Sequence, residues 1–290
     1  MARAAAKKCR YPVDLHMHST CSDGELSPTQ LVSMAKRRGL SAIAITDHDS
    51  VGGYEEAHKA AEGSNLTVIT GTEISADFTR EIHILGYFID PSEAVLKLEL
   101  ERQAQIRENR VHEICGRLAK LNIVIDADEI LKTVKGNVGR PHIARVLVKQ
   151  RHVPSFNAAF QKYLGRHAPA YVDVERVSAE RAIDLIHGAG GIAVLAHPGV
   201  ERLESKLYAL KEMGLDGLEV NHPAHKKSIR TALRAHATRL GLLISGGSDM
   251  HGHRSTCKIG DLGISEAEFQ AMHQRANRHR ARVSMNEYAP

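Results

Sequence analysis

No stretch of the 290-residue chain reaches the roughly 18–20 consecutive apolar residues of a membrane-spanning helix, so no membrane anchor of that kind is expected. No CxxC pair occurs either: Cys9, Cys21, Cys115 and Cys257 lie far apart. That argues against a thiolate zinc site and a disulfide framework, and it suits a reducing cytoplasm. The basic, alanine-rich start, Met1 to Arg10, lacks the apolar core of a signal peptide. A GxGxxG motif is missing, so nothing supports an open dinucleotide-binding sheet. Tryptophan is absent and phenylalanine is scarce, at 5 residues, whereas histidine reaches 18. Histidine is the common metal ligand and acid–base side chain. With 42% hydrophobic and 25% charged residues the chain is ordinary globular protein, and wholesale disorder is excluded. A net charge of +5 favours an anionic ligand mildly; solvated surface explains it equally well.

Ser27-Pro28-Thr29-Gln30 reads as a capping box with proline at the first helical position, and the helix it opens should stop at Gly39. Ala42–Ile45 is a short apolar run bounded by polar residues, the mark of a buried parallel strand. A helix over 53–62 and strands at Thr67–Ile69 and His83–Phe88 continue the pattern. From Ser92 to Leu164 it changes to charged helix, with Val111, Ile114, Leu118 and Leu121 at helical spacing and a helix start at Arg140-Pro141. Strand–helix alternation then resumes: helices over 178–188, 206–213 and 226–240, strands over 192–195, 217–220 and 242–244, and a last basic helix after Ser265. The expectation is an α/β fold, a distorted (β/α)7 barrel with parallel strands, divided as 11–91, a helical insertion 92–168, and 169–290.

Polar residues fall where these strands end. Asp14-Leu15-His16-Met17-His18 spaces two histidines two apart, which in extended chain puts them on one side. Thr46-Asp47-His48-Asp49, Gly71-Thr72-Glu73, Ala196-His197-Pro198 and Ser248-Asp249-Met250-His251 each follow an apolar run, and His83 begins one. A lone histidine beside a strand is more often structural, and a lone carboxylate there is more often a helix cap. Together, however, they lie where barrel active sites converge. Imidazoles mixed with carboxylates suit Mn²⁺, Zn²⁺ or Fe²⁺, and nine such ligands exceed one ion's needs, so two or three divalent ions are expected. Glu219 and His222 also follow a strand and read as supporting or structural residues.

The ordered set Asp14-Leu15-His16-Met17-His18-Ser19, Asp23-Gly24, Thr46-Asp47-His48, Gly71-Thr72-Glu73, Ala196-His197-Pro198 and Gly247-Ser248-Asp249-Met250-His251 resembles the polymerase-and-histidinol-phosphatase (PHP) domain. The resemblance spans Tyr11 to about Phe88 and about Asp184 to Gly263. It implies a metal-dependent phosphoesterase of the amidohydrolase-like group with a trinuclear site. His16, His18, Glu73 and Asp249 would hold the first ion. Glu73 would bridge to a second, also bound by His83 and His197. Asp23, His48 and His251 would hold the third, with Asp23, His48, Asp249 and His251 the catalytic members. Mn²⁺ is the expected metal. Gly139-Arg140-Pro141-His142-Ile143-Ala144 resembles the subgroup of nucleoside 3′,5′-bisphosphate phosphatases and related RNA exonucleases. From the residues alone, Arg140 is a surface ion-pair partner and His142 is solvated; the resemblance makes both substrate contacts.

It further implies removal of the 3′-phosphate of nucleoside 3′,5′-bisphosphates, such as pAp to AMP, by metal-activated hydroxide. Three alternatives stand beside this. One is 5′-to-3′ exoribonuclease action on short 5′-phosphorylated RNA, which differs in needing a groove beyond the first 3′-phosphate. Another is histidinol phosphate phosphatase, which needs an acidic pocket. The last is a non-enzymatic interaction module, which should have lost ligands that this chain retains.

Overall fold

A computed structural model describes residues 9–201, 203–253 and 255–287; all but Cys9 and Arg10 of the basic start, and so most of the segment weighed above as a leader, lies outside the described residues. The strands are β1 (Val13–Asp14), β2 (Ala42–Ala44), β3 (Thr67–Ile69), β4 (Gly71–Asp77), β5 (Glu81–Tyr87), β6 (Val177–Ser178), β7 (Ile192–Leu195), β8 (Gly217–Asn221) and β9 (Leu243–Gly246). The helices are α1 (Pro28–Arg38), α2 (Tyr54–Ala61), α3 (Ala94–Ala119), α4 (Ala127–Thr133), α5 (Arg140–Lys149), α6 (Phe156–Ala159), α7 (Ala179–Gly188), α8 (Pro198–Glu201), α9 (Leu207–Glu212), α10 (Lys227–Leu240) and α11 (Glu266–Glu287). A π-helical turn, Phe160–Leu164, follows α6.

Local chemistry sets the ends of α1. The Ser27 hydroxyl accepts from the Gln30 N–H, the Gln30 side chain accepts from the Ser27 N–H, and Gly39 ends the helix at φ 72°, where a side chain would be strained. Leu31, Val32 and Ala35 bury its inner face.

β1, β2 and β3 form a parallel sheet. The other six strands run in the order β6-β4-β5-β7-β8-β9. Two pairings depart from the all-parallel expectation: β4 with β5, and β5 with β7, are antiparallel. Only Phe78–Arg80 joins β4 to β5, far too short for a crossover, so the chain must turn back. β4 is a strand that the apolar-run pattern does not predict, and Glu73 sits within it rather than after a strand. The result is a mixed α/β fold. No closed barrel forms from the strand ladders among the described residues. Between the two sheets stand isolated bridges, His48 to Glu73 and Met17 to Met250, and a Leu15 N–H to Gly246 carbonyl bond of 3.2 Å. These cross-links bring the ends of β1, β2 and β9 to Glu73.

α7, α9 and α10 cover the larger sheet through Ile183, Ile186, Leu210 and Leu233, while α1 and α2 cover the smaller. Among the described residues of 92–168 there is no strand; Val111, Ile114, Leu118, Ile143, Leu147 and Leu164 build a separate cluster there.

At the N-terminal end of β8, buried Asp216 ties three elements together. Its Oδ2 accepts from the Ala193 N–H and His187 Nε2 (3.0 and 2.7 Å), and its Oδ1 accepts from Arg275 and His279 of α11 (2.8 and 3.0 Å). Burial works to raise this carboxyl, but the hydrogen bonds from His187 and His279 hold it below the ordinary aspartate range. A lowered pKa makes its stabilising effect complete above the unfolded value of about 3.9 and lost as pH falls through the folded one. Asp216→Ala should therefore cost about 3 kcal/mol at pH 7, the low end for a broken buried pair because the partners are partly exposed. Urea unfolding of both proteins at pH 7 and near pH 3 checks this; an equal difference at the two pH values would contradict it.

Candidate active site

The segment after β1 alternates strictly. Leu15 and Met17 enter the core while His16 and His18 face the opposite way, both buried, with their Nε2 atoms 3.2 Å apart. Gly247 lets the chain after β9 lie against them; a Cβ there would fall 2.3 Å from the His16 nitrogen. Asp47 fixes the loop between His18 and Asp23, accepting from the Ser19 N–H and hydroxyl and from the Ser22 hydroxyl.

Glu73 lies at the centre. Its Oε2 is 3.5, 3.3 and 3.1 Å from His16 Nε2, His18 Nε2 and His48 Nδ1. Its Oε1 is 3.0 Å from both His83 Nδ1 and His197 Nε2. Asp249 Oδ1 lies 3.4 and 3.3 Å from the Nε2 atoms of His16 and His18. Asp23 stands opposite, 3.5 Å from His251 Nε2, 3.7 Å from His18 Nδ1 and 3.9 Å from His48 Nε2. All nine residues singled out as ligands thus meet in one cluster. His197 (φ 32°) and Asp249 (φ 47°) reach it from left-handed backbone, a strain that concentrates at functional sites.

Burial opposes every charge here, so a shift that favours the charged form reports a neighbour. Around Glu73 the imidazoles of His48, His83 and His16 overcome burial and hold its carboxyl well below the usual range. Burial lowers the pKa of His48 far below normal, leaving a neutral imidazole with a free lone pair. His83 goes up to about 10 because Glu73 and Glu81 outweigh its burial.

Three buried polar atoms in the cluster have no hydrogen-bond partner: His18 Nδ1, His48 Nδ1 and Glu73 Oε2. The last two face each other at 3.1 Å without bonding. Two ligands about 2.1 Å from a shared ion, at tetrahedral or octahedral angles, stand about 3.0–3.4 Å apart. The orphaned atoms and the spacing fit divalent cations. The groups able to share one include His16, His18 and Asp249; His48, Glu73 and His83; and His18, Asp23, His48 and His251.

Supporting residues complete the cluster. Glu219 accepts from His16 Nδ1 and from the His197 N–H, both at 2.8 Å, so one carboxylate orients two members. His222 Nε2 is 3.2 Å from Asp249 Oδ2. The sequence pointed to both, although Glu219 lies within β8 and only His222 follows it; their partners were not visible.

A pocket opens beside Asp23, His48 and His83 and is walled by the helical segment. Four of its residues are arginines. Arg107 is taken by Asp49 and Ser75, and Arg176 by Asp77, Glu81 and Asp173. Arg140 lies over the rings of Phe160 and Tyr171, 5.9 and 5.5 Å from their centroids. Arg110 donates to the Val172 carbonyl (2.9 Å), yet its Nη2 is buried without a partner. Burial, aided by Arg140, brings its pKa down to about 10. Arg110 lies next to the core-facing Val111 on α3, so its spacing gave no signal of a site role. His142 behaves differently from Arg140: its Nδ1 accepts from the Gly139 N–H at 3.1 Å, capping α5, and it does not line the pocket.

A PHP-domain model matches residues 14–164 of the chain. A 5′-3′ exoribonuclease of Haemophilus influenzae is 38% identical over 244 residues, 82% of this chain and 89% of the relative. A 3′,5′-nucleoside bisphosphate phosphatase of Chromobacterium violaceum is 35% identical over 250 residues, 82% and 87% of the two chains. A solved structure from Bifidobacterium adolescentis, assigned as a metal-dependent phosphoesterase, superposes with a TM-score of 0.86 at 31% identity over 93% of this chain and 98% of that one. Likeness of this extent, in sequence and in fold at once, makes the chain a member of the PHP-domain family of metal-dependent phosphoesterases.

Proposed function

We propose that the protein removes the 3′-phosphate from nucleoside 3′,5′-bisphosphates, giving the 5′-monophosphate and inorganic phosphate. The observation that carries this reading is the buried, unpartnered guanidinium nitrogen of Arg110 beside Arg140, in the pocket that adjoins the histidine–carboxylate cluster. A dianionic phosphate satisfies such a donor, and a bisphosphate places one phosphate there while the other reaches the cluster.

In this reading His16, His18, Glu73 and Asp249 hold one ion, Glu73 with His83 and His197 a second, and Asp23, His48 and His251 a third, with Mn²⁺ the expected metal. Divalent ions so held supply charge neutralisation of the phosphate and activation of the attacking water. Glu219 keeps His16 and the His197 backbone in place. Arg110 and Arg140 bind the phosphate that does not react. Residues 92–168 act as a cap over a core built from 11–91 and 169–290, in a cytoplasmic setting where the free cysteines stay reduced. A second reading, exonucleolytic release of 5′-nucleotides, uses the same bond cleavage; the curated relatives carry both names.

Phosphate release from a panel of nucleoside mono- and bisphosphates tests the proposal. Arg140→Ala should lower kcat/KM for a bisphosphate by roughly 10- to 1,000-fold, and Arg140→Lys should restore only part, since an ammonium cannot make the planar two-bond contact. If Arg140 holds the 5′-phosphate, a 3′-monophosphate should lose much less. Unchanged kcat/KM on both substrates would remove Arg140 from the site.

A further inference from the structure

The loops that carry Asp23 and His48 are both bonded to one short stretch of the helical segment. Asn137 Nδ2 donates to the carbonyls of His48 and Asp49, at 3.0 and 2.7 Å, so the two hydrogens of one amide are committed to two successive carbonyls. Asp49 has left-handed backbone (φ 48°), a conformation that its surroundings must hold in place. The Asn137 N–H donates in the other direction, to the Cys21 carbonyl at 3.0 Å, two residues before Asp23. Eight residues further on, Arg145 of α5 donates to the carbonyl of Asp23 itself. The other half of the cluster is held from the larger sheet instead. Glu219 of β8 accepts from His16 and from the His197 N–H, and His222, just after β8, stands against Asp249.

We propose that Asn137 is a positioning residue for the third ion, the one assigned above to Asp23, His48 and His251. The inference rests on that assignment. Two ligands about 2.1 Å from one ion can stand no more than about 4.2 Å apart. His48 Nε2 and Asp23 Oδ2 are 3.9 Å apart, so little drift of either loop is tolerated before the pair stops sharing an ion. One residue bonded to both loops, through its side chain to one and its backbone to the other, fixes that separation. Asn137 also lines the arginine pocket, but its amide hydrogens are already committed to the His48 and Asp49 carbonyls. It stands three residues before Arg140. The stretch that carries the proposed phosphate contact therefore also sets the third ion's ligands.

The test compares wild type with Asn137→Ala and Asn137→Asp. The second keeps the size of the side chain and replaces its NH₂ donor by an oxygen facing two carbonyls. Mn²⁺ bound per chain is measured by equilibrium dialysis and elemental analysis, alongside the Mn²⁺ dependence of pAp hydrolysis. At a Mn²⁺ concentration that fills three sites in wild type, each variant should hold two ions. The Mn²⁺ needed for half-maximal activity should rise about tenfold, with kcat recovering in excess Mn²⁺ and KM for pAp within about twofold of wild type. A merely structural role would lower the melting temperature of the metal-free protein and leave the ion count alone. Arg145→Met, which removes the donor to the Asp23 carbonyl, should raise the same Mn²⁺ requirement and supplies the test if the Asn137 variants fail to fold. Three ions and a wild-type Mn²⁺ requirement in the variants would overturn the proposal. So would a raised KM for pAp with the ion count intact, the mark of a direct substrate contact. Wild type holding only two ions would overturn it together with the third-ion assignment. Wild type holding three ions without hydrolysing pAp would overturn the phosphatase reading alone, and loss of one ion in the variants would still support the role of Asn137.

Discussion

Glu73→Gln should lower kcat by roughly 10³- to 10⁵-fold, equivalent to about 4–7 kcal/mol, while the chain stays folded. The amide keeps the shape and removes the one charge that faces five imidazoles, those of His16, His18, His48, His83 and His197. No neighbouring side chain can replace it, because Glu73 is the only carboxylate on β4 that reaches both halves of the cluster. An amide oxygen is a weak ligand, and its NH₂ would point at lone pairs that are already unpartnered. Metal content by elemental analysis, circular dichroism and kcat at saturating Mn²⁺ separate the outcomes. Near wild-type turnover with full metal content would take Glu73 out of the ligand set.

Removal of metal should have a comparable effect. A chelator-treated sample should lose activity to background and regain it with Mn²⁺, and the untreated protein should carry two or three divalent ions per chain. Buried Asp23, Glu73 and Glu219 and partly buried Asp249 bring four carboxylates into a cluster whose remaining members are imidazoles. Without cations they are compensated only by those imidazoles. Ions that bind the folded chain stabilise it by RT ln(1 + [M]/Kd), about 4 kcal/mol at a thousandfold excess over Kd, so the apo form should also melt lower. Full activity in a metal-free sample would overturn the metal mechanism. An unchanged melting temperature on Mn²⁺ addition would argue that the cluster binds no ion.

The residues of the cluster were legible because their information is local. Alternation of two around Leu15 and Met17 dictates that His16 and His18 face together, and apolar runs ending in Asp or His mark strand ends wherever the strands go. The helical character of 92–164 and the capping of α1 were legible for the same reason. Glu219 reads from the sequence as a supporting or structural residue, but the partner it supports is a residue 203 positions away, which no spacing encodes. Arg110 was hidden by its place beside the core stripe of α3; what distinguishes it is that its guanidinium is left one partner short in the folded chain. The assignment of Arg140 and His142 to the same task split once α5 formed, since a residue three positions past the N-cap can close the helix end instead of facing a ligand.

By itself the sequence determined the kinds of side chain available for chemistry, the strand-end placement of those after β1, β2, β7 and β9, and the alternation that turns His16 and His18 together, all consequences of short-range geometry. Tertiary structure decided the rest. A three-residue link turned β4 and β5 antiparallel, and this put Glu73 and His83 on paired strands that face one another across the cluster. Packing of α3 and α5 against the loops after β1 and β2 brought Arg107, Arg110 and Arg140 into one pocket beside the histidine–carboxylate cluster. Such choices depend on which distant surfaces meet, and burial and charge compensation, rather than residue order, select among them.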